Sequence, residues 1–267
     1  MKKLSLITAC YNSAATIVDT LKSVNKQTYN NIEHIIIDGA STDSTMELVN
    51  KFGERVSTSI SEKDKGIYDA YNKGLNLASG EIIGFINSDD FYFSDNVAAK
   101  VMKVFEDPLV DACHANLFYV DPVNTKNIER VWKSWDYKDS DFEHGHLPAH
   151  PTVFIRQEIY KKYGNFSRKF NAVGDVEFVL RVFYGKKINS VYVDENWVCM
   201  RSGGATDGGS LRGIINQSKD IRAAQRENGI HSSLLKYWLV KILSRSGQLI
   251  KARFYNFNWL LRRKSVD

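Results

Sequence analysis

The first 90 residues alternate short apolar stretches with amphipathic segments, and each apolar stretch ends in polar or acidic residues. Stretches of this length are typical of buried strands, and the segments between them have the periodicity of helices. Strands that alternate with helices predict βαβ units and a parallel sheet. The four strands and the polar residues that follow them are Lys3–Ala9 with Tyr11 and Asn12, Ile32–Ile37 with Asp38, Val56–Ile60 with Glu62 and Asp64, and Ile82–Ile86 with Asp89 and Asp90.

The fourth strand leads into the most acidic of these ends, and Glu81–Tyr92 reads E-I-I-G-F-I-N-S-D-D-F-Y. Ligands of an open parallel sheet bind at the carboxyl ends of its strands. The adjacent carboxylates of Asp89 and Asp90 repel each other unless a cation lies between them and a ligand. A hard divalent cation that carries a diphosphate would meet this need. The stretch therefore predicts a metal–diphosphate site, and the start of a helix or turn is the structural alternative.

The second half of the chain predicts further strands and helices around a long irregular region. Residues 121–147 are polar and aromatic, which suits either a sugar-stacking surface or packing under a loop. Residues 198–207 contain R-S-G-G-A-T and are expected to form a flexible lid. The other predicted elements are a helix over Asp95–Phe105, a strand over Asp111–Val120, a strand over Pro151–Ile155, a helix over Gln157–Tyr163 ended by Gly164, a helix over Asp175–Tyr184, a strand over Ser190–Val193 and a polar helix from Leu211 to about Asn228.

Several patterns are absent from the sequence, and each absence narrows the classes of protein that fit. No G-x-G-x-x-G follows the first strand, and no G-x-x-x-x-G-K-[ST] is present, so any nucleotide would be held by side chains at the strand ends. The three cysteines lie far apart without metal-ligand spacing, which favours reduced thiols and a cytoplasmic location. The apolar run at the start is too short for a secretory leader, and no stretch is long and apolar enough to span a membrane.

Positive charge is concentrated at the end of the chain. Residues 230–267 hold eight Lys or Arg and one acidic residue, whereas the whole chain has a net charge of +5. Apolar residues recur there at helical spacing, among them Leu234, Trp238 and Ile242. Basic amphipathic helices favour contact with an anionic membrane surface, and packing on the body or an oligomer interface are the alternatives.

Six motifs that occur in order along the chain resemble family 2 glycosyltransferases with the GT-A fold, especially bacterial enzymes of O-antigen, capsule and exopolysaccharide synthesis. The resemblance covers about residues 3–207. Its motifs are T-A-C-Y-N at Thr8–Asn12, I-I-I-D-G-A-S-T-D-S-T at Ile35–Thr45, S-E-K-D-K-G-I-Y-D-A-Y-N-K-G at Ser61–Gly74, G-E-I-I-G-F-I-N-S-D-D at Gly80–Asp90, H-P-T-V-F at His150–Phe154 and G-D-V-E-F-V-L-R at Gly174–Arg181.

The resemblance implies a fold and a division of the chain. The expected fold is α/β, with a Rossmann-like, mostly parallel sheet flanked by helices and a C-terminal helical appendage. The catalytic domain would span 1–209, divided into a nucleotide-binding half over 1–107 and an acceptor-binding half over 108–209. Residues 210–267 would form the basic helical extension.

The resemblance also implies residues that hold the donor. A nucleotide sugar, with UDP favoured, is expected to contact residues after the first four strands. Asp38 would accept a hydrogen bond from the base, or else would form an Asx-turn before Gly39. Asp89 is the first candidate for an Mn²⁺ or Mg²⁺ ligand and Asp90 the second, because Asn87 replaces the first acid of a D-x-D pattern. The expected nucleotide-binding residues are Thr8, Tyr11, Asn12, Asp38, Lys65 and Ser88.

Asp175 is the implied catalytic base of an inverting displacement, in which it takes the proton of the acceptor hydroxyl. The alternatives are that Asp175 is a helix N-cap or that Glu177 is the base. His150 and Arg201 would contact the acceptor or the diphosphate. The expected acceptor is a saccharide, such as one linked to a polyprenyl diphosphate at the cytoplasmic face of the inner membrane.

Further expectations concern other binding partners and two alternative classes of protein. A homo-oligomer is a further expectation, and no nucleic-acid partner is expected. A sugar nucleotidyltransferase would need a Gly-rich basic loop after the first strand, which Ala9–Ser13 lacks. A non-catalytic nucleotide- or sugar-binding protein is the second alternative.

Overall fold

A computed structural model of the chain describes residues 1–170, 172–203, 211–231, 247–248, 251–253 and 255. Within these residues nine strands form one sheet: β1 (Leu4–Cys10), β2 (Ile32–Asp38), β3 (Val56–Ser61), β4 (Ile82–Phe85), β5 (Phe91–Tyr92), β6 (Ala112–Val120), β7 (Ile128–Trp132), β8 (Phe154–Arg156) and β9 (Ser190–Arg201). The helices of the described residues are α1 (Ile17–Asn25), α2 (Thr45–Phe52), α3 (Ile67–Leu77), α4 (Val97–Val104), α5 (Asp139–Glu143), α6 (Gln157–Tyr163), α7 (Gly174–Val179) and α8 (Leu211–Glu227).

The sheet is parallel in its first half and mixed in its second. Its order is β3-β2-β1-β4-β8-β6-β9-β5, and β7 pairs with β6. The pairs among β1, β2, β3 and β4 are parallel, as the alternation with helices predicts. In the second half β8 runs antiparallel to β4 and β6, and β7 runs antiparallel to β6. A short connection without a crossover helix joins β6 to β7, and such connections give antiparallel neighbours.

Residues of β4 alternate between two apolar cores on opposite faces of the sheet. Ile83 and Phe85 contribute to one core, and Ile82 and Ile86 to the other. All four residues of β4 are buried, which explains its continuous apolar sequence. A Cβ at Gly84 would lie 2.4 Å from the ring of Phe154, so glycine lets the antiparallel strand β8 approach.

Two regions have more regular structure than predicted. Residues 121–147, expected to be irregular, contain β7 and α5. Residues 198–201, expected to begin a flexible lid, are the end of β9, which pairs with β6 as far as Val120 and Arg201. Residues 204–207 of the expected lid lie outside the described residues. The predicted helix over Asp175–Tyr184 corresponds to α7 and a π-helical turn over Leu180–Gly185.

Helix α8 confirms the polar helix predicted after Leu211, and its C-terminal part packs on the body of the protein. Ala224 and Ile230 belong to the same core as Phe178 of α7. The side-chain amide of Gln225 donates to the carbonyl of Phe142 at 3.2 Å. Most of the tail beyond residue 231, with its predicted amphipathic helices, lies outside the described residues. No helix in the described part of the chain combines the length and apolar character needed to cross a bilayer.

Candidate active site

The polar residues that follow β1, β2 and β4 meet at one edge of the sheet. Cys10 and Asp38 are register partners at the ends of β1 and β2. The Ser13 hydroxyl, which follows β1, lies 2.8 Å from the Ser88 hydroxyl after β4. The convergence follows from the parallel strand order, because neighbouring parallel strands end at the same edge.

Tyr11 and Asn12 form an open rim on the β1–β2 side of this edge. Tyr11 is 63% exposed, and a Cβ at Gly39 would lie 3.4 Å from its ring and 2.7 Å from Asp64 Oδ2. Asn12 has a φ of +49°, and its side-chain oxygen accepts a hydrogen bond from the Thr42 amide at 2.9 Å. An exposed ring beside fixed backbone turns can stack against a planar group.

Thr8 and Asp38 lie beneath this rim, not at its surface. The Thr8 hydroxyl is buried and lies 2.8 Å from the Ile86 carbonyl, to which it donates, and 2.9 Å from His34 Nε2. Asp38 is also buried, and its carboxylate accepts hydrogen bonds from the Ser41 amide at 2.9 Å and the Ser61 hydroxyl at 2.5 Å. These contacts hold the turn that follows β2, and they engage both the backbone and the side chains around it.

Lys65 lies in the turn before α3, directly after Asp64, whose carboxylate lies close to Gly39. Its side chain is exposed, and its ammonium group forms no ion pair with the residues that the structure describes. Gly66, which follows it, has a φ of +108°, so the turn needs the conformational freedom of glycine. Lys65 can therefore offer its charge to an anionic ligand.

The acidic loop, residues 87–90, contains two carboxylates in different states. Other described residues bind the carboxylate of Asp90 but not that of Asp89. Asp90 is fully buried, and its two oxygens accept hydrogen bonds from Asn87 Nδ2 at 3.0 Å and the Arg201 amide at 3.2 Å. Asp89 is half-buried, and its carboxylate accepts no hydrogen bond from another described residue. The structure thus separates two neighbouring acids that look alike in the sequence.

Arg201 supports the acidic loop from the end of β9. Its guanidinium donates to the Asp89 carbonyl at 2.5 Å and pairs with the carboxylate of Asp19 on α1. It also lies over the Phe91 ring, 5.2 Å from the centroid. Its side chain is 7% exposed, so Arg201 holds the loop in place instead of belonging to a mobile lid.

Burial raises the pKa of both acids in the loop. For Asp89 the loss of solvation is the largest cause, and the nearby Arg201 acts in the opposite direction. For Asp90, burial and then the charge of Asp89 raise the pKa, against the hydrogen bonds from Asn87 and Arg201. A bound cation would stabilise the ionised form of Asp89.

The residues of the loop fit a metal ion that arrives with its substrate. Within the described residues, no cluster of three or more His, Cys, Asp or Glu side chains could hold a metal by itself. Asp89 offers one unoccupied carboxylate, whereas the oxygens of Asp90 and the hydroxyl of Ser88 are already engaged. Mg²⁺ is commonly bound by one or two carboxylates together with substrate phosphates and water. Asp89 is therefore the residue that would hold such a metal.

Asp175 lies at the start of α7 and is held by a tyrosine from α3. The Tyr68 hydroxyl donates to Asp175 Oδ1 at 2.6 Å. Burial, followed by the charge of Asp175, raises the pKa of Tyr68 well above its ordinary value, so the phenol stays protonated and donates. A Cβ at Gly174 would lie 2.8 Å from the Tyr68 ring, so glycine before Asp175 permits this contact.

Tyr71, one turn further along α3, connects the acidic loop to Asp175. Its hydroxyl donates to Asn87 Oδ1. Its pKa is raised by burial and then by the charges of Asp175, Asp90 and Asp89. The ring of Tyr71 lies 6.1 Å from that of Tyr68, which binds Asp175, so adjacent tyrosines of one helix connect the acidic loop and Asp175.

Glu177 does not share the setting of Asp175. It is buried, and its carboxylate accepts hydrogen bonds from Arg181 at 2.9 and 3.1 Å. A carboxylate engaged in this way is a structural ion pair. Asp175 is therefore the better placed of the two candidate bases.

His150 is packed among aromatic rings close to Asp175. Its ring centroid lies 5.4 Å from that of Phe85 and 5.9 Å from that of Tyr71. Burial lowers the pKa of His150, and the charge of Asp175 acts in the opposite direction. The imidazole is therefore neutral near pH 7 and can exchange hydrogen bonds without supplying a permanent charge.

A cavity of about 270 Å³ opens beside Asp175 and His150. We call it the aromatic cavity, because its described lining includes Trp132, Trp135 and Tyr137. Its walls come from β7, from the segment that connects β7 to His150, and from α7. Concave sites with aromatic walls and a few polar groups bind small molecules, and sugar rings stack well on such walls.

The two tyrosines of α3 and Asp19 are site residues that the sequence reasoning did not identify. Tyr68 and Tyr71 stand three positions apart and were interpreted as part of the apolar face of α3. Their rings do pack in the core, but their hydroxyls reach Asp175 and Asn87. Two tyrosines on one helix face are a signal that a polar contact lies at the end of a buried surface.

Comparison with solved structures defines the class of protein through its fold. The chain matches Staphylococcus aureus TarS 1-349 in complex with UDP-GlcNAc, with a TM-score of 0.62 and 19% identity over 84% of this chain and 66% of that chain. It matches the mannosyltransferase PcManGT of Pyrobaculum calidifontis, solved with GDP-Man and Mn²⁺, with a TM-score of 0.59 and 17% identity over 95% and 83% of the two chains. The fold is thus that of the GT-A glycosyltransferases. The match to the longer crystal structure of S. aureus TarS covers 85% of this chain but only 39% of that chain.

The sequence comparisons define the family. The model of Glycosyl transferase family 2 matches residues 5–171, so the chain belongs to this family and is a glycosyltransferase. A PGL/p-HBAD biosynthesis glycosyltransferase of Mycobacterium bovis is 27% identical over 194 residues, 71% of this chain and 73% of that protein. The Escherichia coli UDP-Glc:alpha-D-GlcNAc-diphosphoundecaprenol beta-1,3-glucosyltransferase WfaP is 37% identical over 102 residues, 38% of this chain and 41% of that protein.

Proposed function

We propose that this glycosyltransferase transfers a sugar from a UDP-sugar to a saccharide acceptor, with a divalent metal at the diphosphate and inversion at the anomeric carbon. The observation that carries the proposal is that two neighbouring tyrosines of α3 reach both acidic segments: the Tyr71 hydroxyl donates to Asn87 Oδ1, and the Tyr68 hydroxyl donates to Asp175 Oδ1 at 2.6 Å. This supports a site in which Asp89 would serve the leaving diphosphate and Asp175 the acceptor, as a direct displacement requires.

The donor would lie along the carboxyl edge of the first four strands. The exposed Tyr11 ring and the Asn12 turn would bind the nucleoside, with Asp38 and Thr8 supporting them from below. The unpaired ammonium of Lys65 would approach the diphosphate. UDP is favoured because WfaP is named for UDP-Glc and the TarS structure contains UDP-GlcNAc.

Asp89 would hold Mn²⁺ or Mg²⁺ against the diphosphate. The bound metal would supply electrostatic stabilisation of the charge that develops on the leaving UDP. The PcManGT structure was solved with Mn²⁺, which supports a divalent metal in this fold. In this chain, Arg201 and Asn87 would keep the Asp89 backbone and the neighbouring Asp90 in position.

Asp175 would act as the base. As the acceptor hydroxyl attacks the anomeric carbon, its proton would pass to the Asp175 oxygen that Tyr68 does not occupy. The bond between the sugar and UDP breaks in the same displacement, so no covalent sugar–enzyme intermediate is needed. The aromatic cavity beside Asp175 would hold the acceptor saccharide.

The acceptor is expected to be linked to a lipid diphosphate, since WfaP is named for a diphosphoundecaprenol acceptor. Contact with the cytoplasmic face of the inner membrane through 230–267 stays a prediction, as does a homo-oligomer. The division at 209 also stays a prediction. Family membership argues against a sugar nucleotidyltransferase, and turnover of a donor would argue against a non-catalytic binding protein.

A panel of nucleotide sugars tests the proposal directly. The full chain is expected to release UDP from at least one UDP-sugar in the presence of Mn²⁺ or Mg²⁺. The activity is expected to be lost in EDTA, because without the cation the carboxylate of Asp89 repels the diphosphate. A coupled UDP assay measures the rate, and GDP- and dTDP-sugars test the choice of nucleotide. Metal-independent turnover, or UDP binding by calorimetry without turnover of any donor and acceptor, would contradict the proposal.

Replacing Tyr68 by phenylalanine tests how the base is positioned. The Tyr68 hydroxyl donates to Asp175 Oδ1 at 2.6 Å, so its loss leaves the base less well oriented toward the acceptor. The value of kcat is expected to fall by about 10- to 100-fold, which corresponds to the loss of a hydrogen bond of about 1.5–3 kcal/mol to a charged group. Initial rates at saturating donor and acceptor measure the change.

Tyr160→Phe is the matched control for this variant. Tyr160 is a buried phenol of the same core, and its hydroxyl forms no hydrogen bond to Asp175. Its removal is expected to leave kcat nearly unchanged. Equal kcat values for Tyr68→Phe and wild type would show that the Tyr68 contact does not influence the base.

A further inference from the structure

The described lining of the aromatic cavity contains more basic side chains than acidic ones, and they differ in how free they are to bind a ligand. The described lining contains the basic residues Arg130 and Lys133 and the histidines His144, His146 and His150, whereas Asp175 is its one carboxylate. Whether such a cavity favours an anion depends on which of these groups carries a charge that no protein group neutralises.

Arg130 is the member of this set whose charge is available. The Lys133 ammonium pairs with the Asp194 carboxylate and is largely neutralised by it. Burial lowers the pKa of His146 and of His150, so both are neutral near pH 7. The guanidinium of Arg130 is permanently charged, and it forms no ion pair or hydrogen bond with the part of the chain that the structure describes.

Comparison with the other arginines shows that this state is unusual in this protein. Six arginines lie in the first 203 residues, and the other five donate hydrogen bonds to protein carbonyls or carboxylates. The five are Arg55, Arg156, Arg168, Arg181 and Arg201. Arg130 instead lies over the Tyr119 ring, 3.5 Å from its centroid, with its N–H edges left unused.

The stacking on Tyr119 fixes the plane of the guanidinium without consuming its donors. A cation held over an aromatic face keeps its N–H groups at the edge, where they can bind a carboxylate or phosphate in a bidentate manner. Arg130 lies on β7 and Tyr119 on β6, and the two are register partners, so the arrangement rests on the sheet. A site built on paired strands is better ordered than one on a loop.

From these observations we propose that the aromatic cavity binds an acceptor that carries an anionic group, and that Arg130 recognises this group. The proposal deepens the proposed function and depends on it, because it assigns the chemistry of the acceptor. The tryptophans would stack on the sugar ring, Asp175 would face its hydroxyl, and Arg130 would bind a phosphate or carboxylate attached to it. The diphosphate of a lipid carrier and the carboxylate of an acidic sugar share this chemistry.

Matched pairs of probes test the proposal without turnover. The probes are farnesyl diphosphate with farnesol, and glucuronic acid with glucose. Each is titrated into the full chain with saturating UDP and Mn²⁺, so that the donor side is filled, and binding is followed by tryptophan fluorescence, to which Trp132 and Trp135 of the cavity contribute. Wild type is expected to bind at least one anionic probe about tenfold more tightly than its neutral match.

Variants at Arg130 test whether this residue causes the preference for the anionic probe. Arg130→Gln is expected to abolish the preference for the anion and to leave the affinity for the neutral probe unchanged, while Arg130→Lys retains part of the preference. Arg168→Gln is the matched control, because it removes an equal charge from an exposed residue outside the cavity. Thermal unfolding checks that each variant is folded.

The binding results distinguish a lipid diphosphate from an acidic sugar as the anionic group. They also test the role of Arg130 separately from the proposed transfer reaction. A preference for farnesyl diphosphate supports a lipid-linked acceptor, and a preference for glucuronic acid supports an acidic sugar. Equal binding of anionic and neutral probes, or a preference that persists in Arg130→Gln, would overturn the assignment of Arg130. Such a result leaves the proposed transfer reaction standing, because that reaction is tested by donor turnover, and calorimetry of UDP with Mn²⁺ reports the donor site separately.

Discussion

Replacing Asp175 by asparagine is expected to lower kcat by about 10²–10⁴-fold, the usual contribution of a general base. The amide has the shape of the carboxylate and can still accept the Tyr68 hydroxyl, but it cannot take a proton from the acceptor. In the proposed arrangement the nucleotide and diphosphate bind away from Asp175, so the KM for the donor is expected to change little. Initial rates at saturating donor and acceptor measure the effect.

Glu177→Gln is the matched control for the base. Glu177 lies two positions away on α7, and its carboxylate is bound by Arg181. Losing this pair is expected to lower the free energy of unfolding by about 1–3 kcal/mol while kcat changes little. The opposite result, with kcat lost in Glu177→Gln and kept in Asp175→Asn, would transfer the role of base to Glu177.

Replacing Asp89 by asparagine is expected to lower kcat/KM for the donor by about 10²–10³-fold, comparable to the loss of other groups that stabilise developing negative charge. The amide is a weaker ligand for a hard cation, so the half-saturating Mn²⁺ concentration is expected to rise as well. Metal titrations of the transfer rate measure both changes. A variant with normal rates and a normal metal requirement would exclude Asp89 as the ligand.

The same variant has a second expected effect, on stability without metal. Burial raises the pKa of Asp89, which means that its ionised form is disfavoured in the folded protein. The sign follows from linkage: at neutral pH the ionised carboxylate destabilises the fold, so a neutral amide is expected to maintain or raise the Tm in EDTA. Wild type is expected to gain stability from Mn²⁺ with UDP, and Asp89→Asn to gain less.

Asp95→Asn serves as the control for the removal of a carboxylate near this site. Asp95 follows the acidic loop by a few residues, but its side chain is exposed. Its replacement is expected to leave the metal requirement and the Tm in EDTA unchanged. A loss of activity in both variants would point to a general effect of charge and not to a ligand at Asp89.

Local patterns were sufficient to predict the first half of the fold. The apolar runs of β1, β2 and β4 and the amphipathic segments between them depend on neighbouring residues, and the parallel pairing followed from their alternation. The second half was harder because the residues of β7 and β9 lack a simple alternation, and their pairing with β6 is set by distant parts of the chain. The predicted lid at 198–201 is a strand for this reason.

The carboxyl edge of the sheet and the acidic pair Asp89 and Asp90 were predicted from residue types and their order, because strand ends are local properties, whereas Asp175 was proposed through the resemblance of its motif. The state of each side chain was decided by contacts across the fold. Tyr68 reaches Asp175 over 107 positions, and Asp19 reaches Arg201 over 182. Burial and hydrogen-bond partners determine whether a carboxylate is free to bind a ligand, so the folded chain made Asp90 a buried support and Arg201 an anchor, and left Asp89 and Arg130 with unused polar groups.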